Sequence, residues 1–146
     1  MSLLTDKIFV KALRANTSLM AMLPAGDVYN TAIPVPDENV DNTQLPYIIV
    51  TFDSMTNNDS TKDSYEGDTD TVQVGIEVAA SSRSSLSEII EDIRSTVMSY
   101  FEAATEADDD YELVPLDYLI TAGPVQYDSM KPCYWQTLHY QCDVNA

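Results

Sequence analysis

Basic residues are scarce in this chain, and their scarcity limits what the protein can bind. Seven Lys and Arg residues stand against 24 Asp and Glu residues, which gives a formal net charge of −17. A surface this acidic repels phosphate groups and anionic membranes, so ordinary binding to DNA, RNA or a membrane is disfavoured. The acids are also unevenly placed, because residues 53–70 hold six of them and residues 102–117 hold seven.

Residues suited to metal binding or catalysis are equally scarce. His139 is the only histidine and there are four glycines, which leaves no zinc ligand set within one chain and no Gly-rich phosphate-binding turn. Cys133 and Cys142 fall on one predicted strand, about 30 Å apart at 3.3 Å per residue, which is too far for a disulfide. We therefore predict free thiols, a reducing cytosol, no cofactor and no enzymatic activity.

Long apolar segments are missing as well. No run approaches the roughly 20 residues that a membrane helix needs. The N-terminal sequence, Met-Ser-Leu-Leu-Thr-Asp-Lys, lacks the basic-then-apolar order of a signal peptide. At this length we expect a single domain over residues 1–146 that stays in the compartment where it is made.

The apolar residues that are present follow clear helical and strand periods. Residues 72–80 alternate apolar and polar side chains, as in a half-buried strand, and residues 134–144 repeat this pattern. Residues 83–104 carry an apolar stripe at helical spacing, with Ser81, Ser82 or Ser85 as the possible start. The other predicted elements are a helix over 3–15, a short helix after Asn16, and strands at 27–30, 47–52 and 116–122. Together they predict an α+β fold with two principal helices packed on a mostly antiparallel four- to five-stranded sheet.

The stretch between two of the predicted strands, residues 53–70, is expected to form a long acidic loop. Its Asp59, Thr61 and Asp63 suit the first positions of a calcium loop. However, Ser64 stands where an EF-hand needs glycine, and Asp70 stands where it needs a bidentate glutamate. A solvated loop is the favoured interpretation, with a weak calcium site as the alternative.

Two residues of the last predicted strand are candidates for a protein contact. Trp135 and His139 lie on its otherwise polar face, where an exposed indole ring suits a protein interface. The alternative for Trp135 is that a helix or loop of its own chain covers the ring. For His139, a solvated or interface position is favoured over a catalytic one.

The order of these elements resembles that of the tail completion (tail terminator) proteins of long-tailed bacteriophages and prophages. The resemblance covers nearly the whole chain and consists of element order and loose sequence rather than an invariant motif. The segments that carry it are the helix 3–15, the turn 19–23, the stretch 27–30, the strand 46–50, the run from Tyr65 to Val78, the helix 86–101 and the closing strand 134–144.

The resemblance implies a structural virion protein that caps the tail tube as a hexameric ring and joins it to the head and neck. The implied partners are copies of itself, the tail tube protein and a neck or head-completion protein, with DNA only as passing cargo and no membrane. The implied location is the head–tail junction of the virion, after assembly in the bacterial cytoplasm. A closed ring needs two different patches on each subunit.

We expect one such patch to be basic, since Lys7, Lys11 and Arg14 form a row at helical spacing. Trp135 and His139 complete the candidate subunit interface. The acidic loop is the candidate lining of the ring, where like charge would keep passing DNA from binding. Its candidate residues are Asp59, Asp63, Glu66, Asp68 and Asp70.

Other interpretations of the same sequence remain open. The net charge also suits an acidic DNA mimic that inhibits a DNA-binding host enzyme, although mimicry favours carboxylates spread like phosphates along an elongated surface. Another head–tail neck protein would share the same implied setting. A hydrolase that uses loop carboxylates is the least favoured interpretation, because no pocket of aromatic residues is evident around them.

Overall fold

The structure is a computed structural model that describes residues 2–32, 45–57, 69–106, 117–130 and 132–145. The chain begins with a 3-10 turn, Ser2–Leu4, that leads into the first helix. The helices are α1 (Thr5–Arg14), α2 (Thr17–Met22) and α3 (Arg83–Glu106). The strands are β1 (Tyr29–Asn30), β2 (Tyr47–Asn57), β3 (Thr69–Ala80), β4 (Asp117–Ala122), β5 (Gln126–Asp128) and β6 (Cys133–Asn145).

All six strands belong to one sheet, in the order β1-β2-β3-β6-β4, with β5 also paired to β6. Among the described strands, only the pair β1–β2 is parallel, and the other pairs are antiparallel. The predicted α+β class and mostly antiparallel sheet are therefore confirmed. The prediction of four or five strands missed β5, since a three-residue strand is too short to leave a periodic pattern in the sequence.

The helices cover one face of this sheet and form the core with it. The strand residues that were predicted to share the apolar face are buried there, including Val74 and Ile76 of β3 and Leu138 and Tyr140 of β6. An aromatic cluster joins the layers: the Phe9 ring of α1 lies 5.1 Å from Phe101 of α3 and 5.0 Å from Tyr140. Helix-on-sheet packing therefore brings the apolar stripes of α1, α3, β3 and β6 together in one core between the two layers.

Two polar side chains fix where the helices begin. The Ser82 hydroxyl accepts a hydrogen bond from the Ser85 amide, so Ser82 is the N-cap of α3 among the serines that the sequence offered. The Asn16 side chain accepts from the Leu19 amide and caps α2. Its amide nitrogen also donates to Thr96 Oγ1 at 2.9 Å, which ties the α1–α2 junction to α3.

The predicted loop at 53–70 is shorter than expected. Strand β2 continues to Asn57 and β3 begins at Thr69, because these polar residues continue the ladder and Asn57 pairs with Asp70. The loop prediction was wrong for Asp70, which is only 6% exposed and accepts a 2.8 Å hydrogen bond from the Asn57 side chain. The candidates Asp59, Asp63, Glu66 and Asp68 lie outside the described residues.

None of the described helices is long and apolar enough to cross a membrane.

Candidate functional site: the open face of the sheet

In the described part of the chain, the sheet face that the helices do not cover is mostly polar. We call it the open face. It is built from alternate residues of three adjacent strands, whose partners on the other face lie in the core. Its members are Thr51 and Asp53 of β2, Gln73 and Glu77 of β3, and Thr137, His139, Gln141 and Asp143 of β6.

An open depression of about 450 Å³ lies on this face, between Asp53 and Glu77 on one side and Thr137 and His139 on the other. Gly75 of β3 lies on the same face, and a Cβ atom there would approach Asp53 Oδ2 and Thr51 Oγ1 to 2.9 Å. The register of β2 shifts between Phe52 and Ser54, and Thr51 Oγ1 donates to the Asp53 carboxylate at 2.9 Å. A glycine therefore lets the Asp53 carboxylate lie close over β3.

The open face is acidic and carries no positive charge from Lys or Arg. Strands β2, β3, β4 and β6 contain no basic residue of either type, so every Lys and Arg in the described part of the chain lies in α1 or α3. Basic side chains therefore stand in the helical layer, and the carboxylates of Asp53, Glu77 and Asp143 stand on the opposite face. Among the described residues, the open face therefore has carboxylates without a Lys or Arg beside them.

Hydrogen bonds hold two of these carboxylates in place. The Tyr47 hydroxyl donates to Glu77 Oε2 at 3.3 Å, and burial together with the Glu77 charge raises the pKa of Tyr47 to about 12. The Thr71 hydroxyl donates to Asp143 Oδ1 at 2.8 Å. Within the described ranges, no three His, Cys, Asp or Glu side chains come together as a metal site.

The predicted interface residues do not form one patch. Trp135 is half-buried and His139 is exposed, and both belong to the sheet side opposite the helices. The basic row lies in α1, where the Lys7 ammonium donates to the Asn30 side chain and the Arg14 guanidinium pairs with Asp27 at 2.8 Å. Lys7 and Arg14 thus bind neighbours in their own chain.

Sequence analysis missed the apolar residues that the fold leaves exposed. Leu119 of β4 is 62% exposed, Met55 of β2 is 38% exposed, and Met130 in the β5–β6 turn is 95% exposed. A signal for Leu119 was present, because it occupies a polar position in the alternation of residues 116–122. Sequence alone could not show that Leu119 and Met55 lie in strands toward opposite edges of the sheet.

The fold has a known counterpart. Neither protein-family models nor curated proteins match the sequence. Among solved structures, a chain from the virion of a native gene transfer agent (GTA) particle is similar, with a TM-score of 0.51 and 14% sequence identity. The similarity covers 97% of this chain and 94% of that chain. At this identity the likeness shows that the two chains share a fold.

Proposed function

We propose that this chain is a structural protein of a phage-like virion that caps the tail tube as a hexameric ring and joins it to the neck. The observation that carries the proposal is the fold shared with a chain of a GTA virion over nearly the full length of both chains. The element order that resembles the tail terminators is consistent with it. The proposed partners are further copies of the chain, the tail tube protein and a neck protein, at the head–tail junction.

The open face is the surface that we assign to the lumen of this ring. Its carboxylates, including Asp53, Glu77 and Asp143, have no Lys or Arg among them on strands β2, β3 and β6. Like charge lowers the affinity of such a wall for DNA phosphates, so a duplex can pass without binding. We therefore propose that the sheet lines the ring, which sequence analysis had suggested for the acidic loop.

The capping role is tested with purified tail tube protein that polymerises in vitro. Adding this chain during polymerisation should stop growth, so that tubes are shorter and carry ring-shaped density at one end in negative-stain electron microscopy. Bovine serum albumin at equal concentration serves as an acidic control that should leave tube length unchanged.

Unchanged tube lengths and bare tube ends would contradict the capping role. Binding to filled heads without binding to tubes would instead favour a neck protein. Capture of a host DNA-binding enzyme, without binding to tubes or heads, would favour the DNA mimic.

The lumen assignment is tested by placing positive charge on the open face. Gln73→Lys with Gln141→Lys changes two exposed residues at paired positions on β3 and β6. We expect normal particle numbers but DNA transfer reduced by about tenfold or more, because lysines on the wall bind phosphates. Transfer is counted as transductants or plaques per particle.

The matched control is Ser95→Lys with Ser99→Lys, which adds the same charge to exposed positions on α3. This pair should transfer DNA as the unmodified protein does. Equal transfer by the two lysine pairs would contradict the assignment of the open face to the lumen.

A further inference from the structure

A groove lies in the helical layer, on the side of the sheet opposite the open face. It runs between α3 and the strands β4 and β6, and its volume is about 380 Å³. Its floor is apolar, with Ile90 of α3 and Leu138 of β6 buried and Ile120 of β4 half-buried. We call it the α3–β4 groove. Concave and mostly apolar surfaces of this kind are where proteins bind their partners.

Two arginines of α3 line this groove. Arg83 and Arg94 are about three helical turns apart, so they lie on the same face of α3 with about 16 Å between them. Arg94 pairs with Glu91 at 3.2 Å, but both side chains are exposed and such a pair contributes little stability. Arg83 forms no ion pair within the described part of the chain. Each guanidinium can therefore bind a carboxylate from outside the subunit.

The position of these two cations matters because the chain has a net charge of −17. Copies of the chain repel one another, so an assembly of copies needs places where positive charge meets negative charge. The other Lys and Arg residues of the described ranges lie on α1, where Lys7 and Arg14 contact side chains of their own subunit. The arginines of the groove are therefore the cations best placed to contact a second copy.

The sequence that connects α3 to β4 has the complementary chemistry. Residues 107–116 lie outside the described residues and have the sequence Ala-Asp-Asp-Asp-Tyr-Glu-Leu-Val-Pro-Leu. Four of them are acidic and none is basic, and the apolar Leu113, Val114 and Leu116 follow the acids directly. Carboxylates match the two guanidinium groups, and apolar side chains match the floor. The segment and the groove thus agree in both charge and hydrophobicity.

A subunit cannot satisfy Arg83 with the aspartates of its own segment. Arg83 begins α3 and Glu106 ends it, which separates the two residues by about 34 Å at 1.5 Å per residue. At no more than about 3.5 Å per residue, Asp110 reaches about 14 Å from Glu106, which leaves a gap of about 20 Å. An arginine and an aspartate side chain do not bridge such a gap. Contact between Arg83 and these aspartates therefore requires another copy of the chain.

We propose that residues 107–116 of one copy bind in the α3–β4 groove of the next, with carboxylates at Arg83 and Arg94 and apolar side chains on the floor. This inference rests on the proposed ring and names the contact that closes it. The groove includes the start of α3, whereas the segment follows the end of α3, so the two patches lie toward opposite ends of this helix. A contact between two different patches is what a closed ring needs. It also leaves the open face uncovered, as the lumen assignment requires.

Charge reversal on each side of the contact tests the proposal. R83E/R94E makes the groove negative, and D108K/D109K makes the segment positive. Either variant alone places like charges together, so the fraction of tail tubes that carry a ring should fall by about tenfold or more. Negative-stain electron microscopy counts the capped tubes.

An equimolar mixture of the two variants should restore the rings. When they alternate around a ring, each contact joins either the reversed groove to the reversed segment or the two unmodified partners. Restoration also shows that both variants are folded. A contact within one chain would not be restored, because each variant keeps its own pair of like charges.

The matched control is K11E/R14E, which reverses the same number of positive charges on α1. These two residues lie outside the groove, and the pair of Arg14 with Asp27 is exposed, so its loss costs little stability. This variant should cap tubes as often as the unmodified chain does.

Capping by R83E/R94E at the level of the unmodified chain would overturn the contact and leave the ring intact. Failure of the mixture to restore rings, when each variant alone has lost them, would overturn it as well.

A labelled peptide tests the groove even if the unmodified chain does not cap tubes, a result that would contradict the proposed function. A fluorescein-labelled peptide of residues 107–116 should bind the full chain, as measured by fluorescence anisotropy. Its Kd should be about tenfold or more higher for R83E/R94E, because the groove is then negative. Equal binding of the peptide to both proteins would overturn the contact.

Discussion

Replacing Phe9 with alanine should lower the free energy of unfolding by about 3–5 kcal/mol. The Phe9 side chain is fully buried, and its ring meets Phe101 edge-on at 5.1 Å and Tyr140 at 5.0 Å. Phe9→Ala removes the contacts that join α1, α3 and β6 and leaves a cavity that rigid neighbours fill only partly. Urea unfolding followed by circular dichroism measures the loss.

Tyr140→Phe is the matched control in the same cluster. The Tyr140 hydroxyl is buried and has no hydrogen-bond partner within the described structure. Its removal keeps the ring and relieves an unsatisfied polar group, so stability should stay constant or rise by about 1 kcal/mol. A loss below about 1 kcal/mol for Phe9→Ala would show that the aromatic cluster does not join the layers as described.

The Cys142 thiol should react with iodoacetamide at least about a thousandfold more slowly in the folded protein than in the unfolded one. The side chain is fully buried in β6, and burial raises the pKa of the thiol to about 12. Because the thiolate is the nucleophile, a higher pKa and the lack of access both slow the reaction. Mass spectrometry at pH 8, with and without urea, measures the modified fraction over time.

Leu119→Cys supplies the exposed control for that measurement. Position 119 lies in β4, next to the residue that pairs with Cys142, but its side chain is 62% exposed. A cysteine there should be modified at nearly the same rate in folded and unfolded protein. Comparable modification of Cys142 in the folded state would contradict its place in the core.

The absence of a disulfide between the two cysteines was predictable from the sequence. Cys133 and Cys142 form no disulfide in the described structure, and both are buried. Sequence spacing sufficed here, because two cysteines on one extended strand are separated by the fixed rise of that strand. Their burial needed the structure, since it depends on what packs against each face.

Long periodic segments were predictable for a similar reason. The helix over 83–104 and the strands over 72–80 and 134–144 closely match α3, β3 and β6. Each has an apolar period repeated often enough to distinguish helix from strand. The limits of β2 and β3 were not predictable, because Asn57 and Asp70 look like loop residues until their pairing and hydrogen bond are seen.

The candidate site, too, was only partly predictable from the sequence. The alternation of residues 134–144 predicted that Trp135 and His139 share a face, and they do. It did not predict that Asp53 of β2 and Glu77 of β3 line the same depression as His139. Nor did the helical spacing of the basic row predict its partners, because Asn30 and Asp27 are distant from Lys7 and Arg14 in sequence.

By itself, the sequence determined the acidic charge, the free thiols, the α+β class and the apolar faces of the long elements. These properties follow from composition and from the fixed geometry of a single helix or strand. Tertiary structure alone decided that every described Lys and Arg lies in the helical layer, and that carboxylates from three different strands share the open face. Such features depend on strand order and register, which bring together residues far apart in the chain.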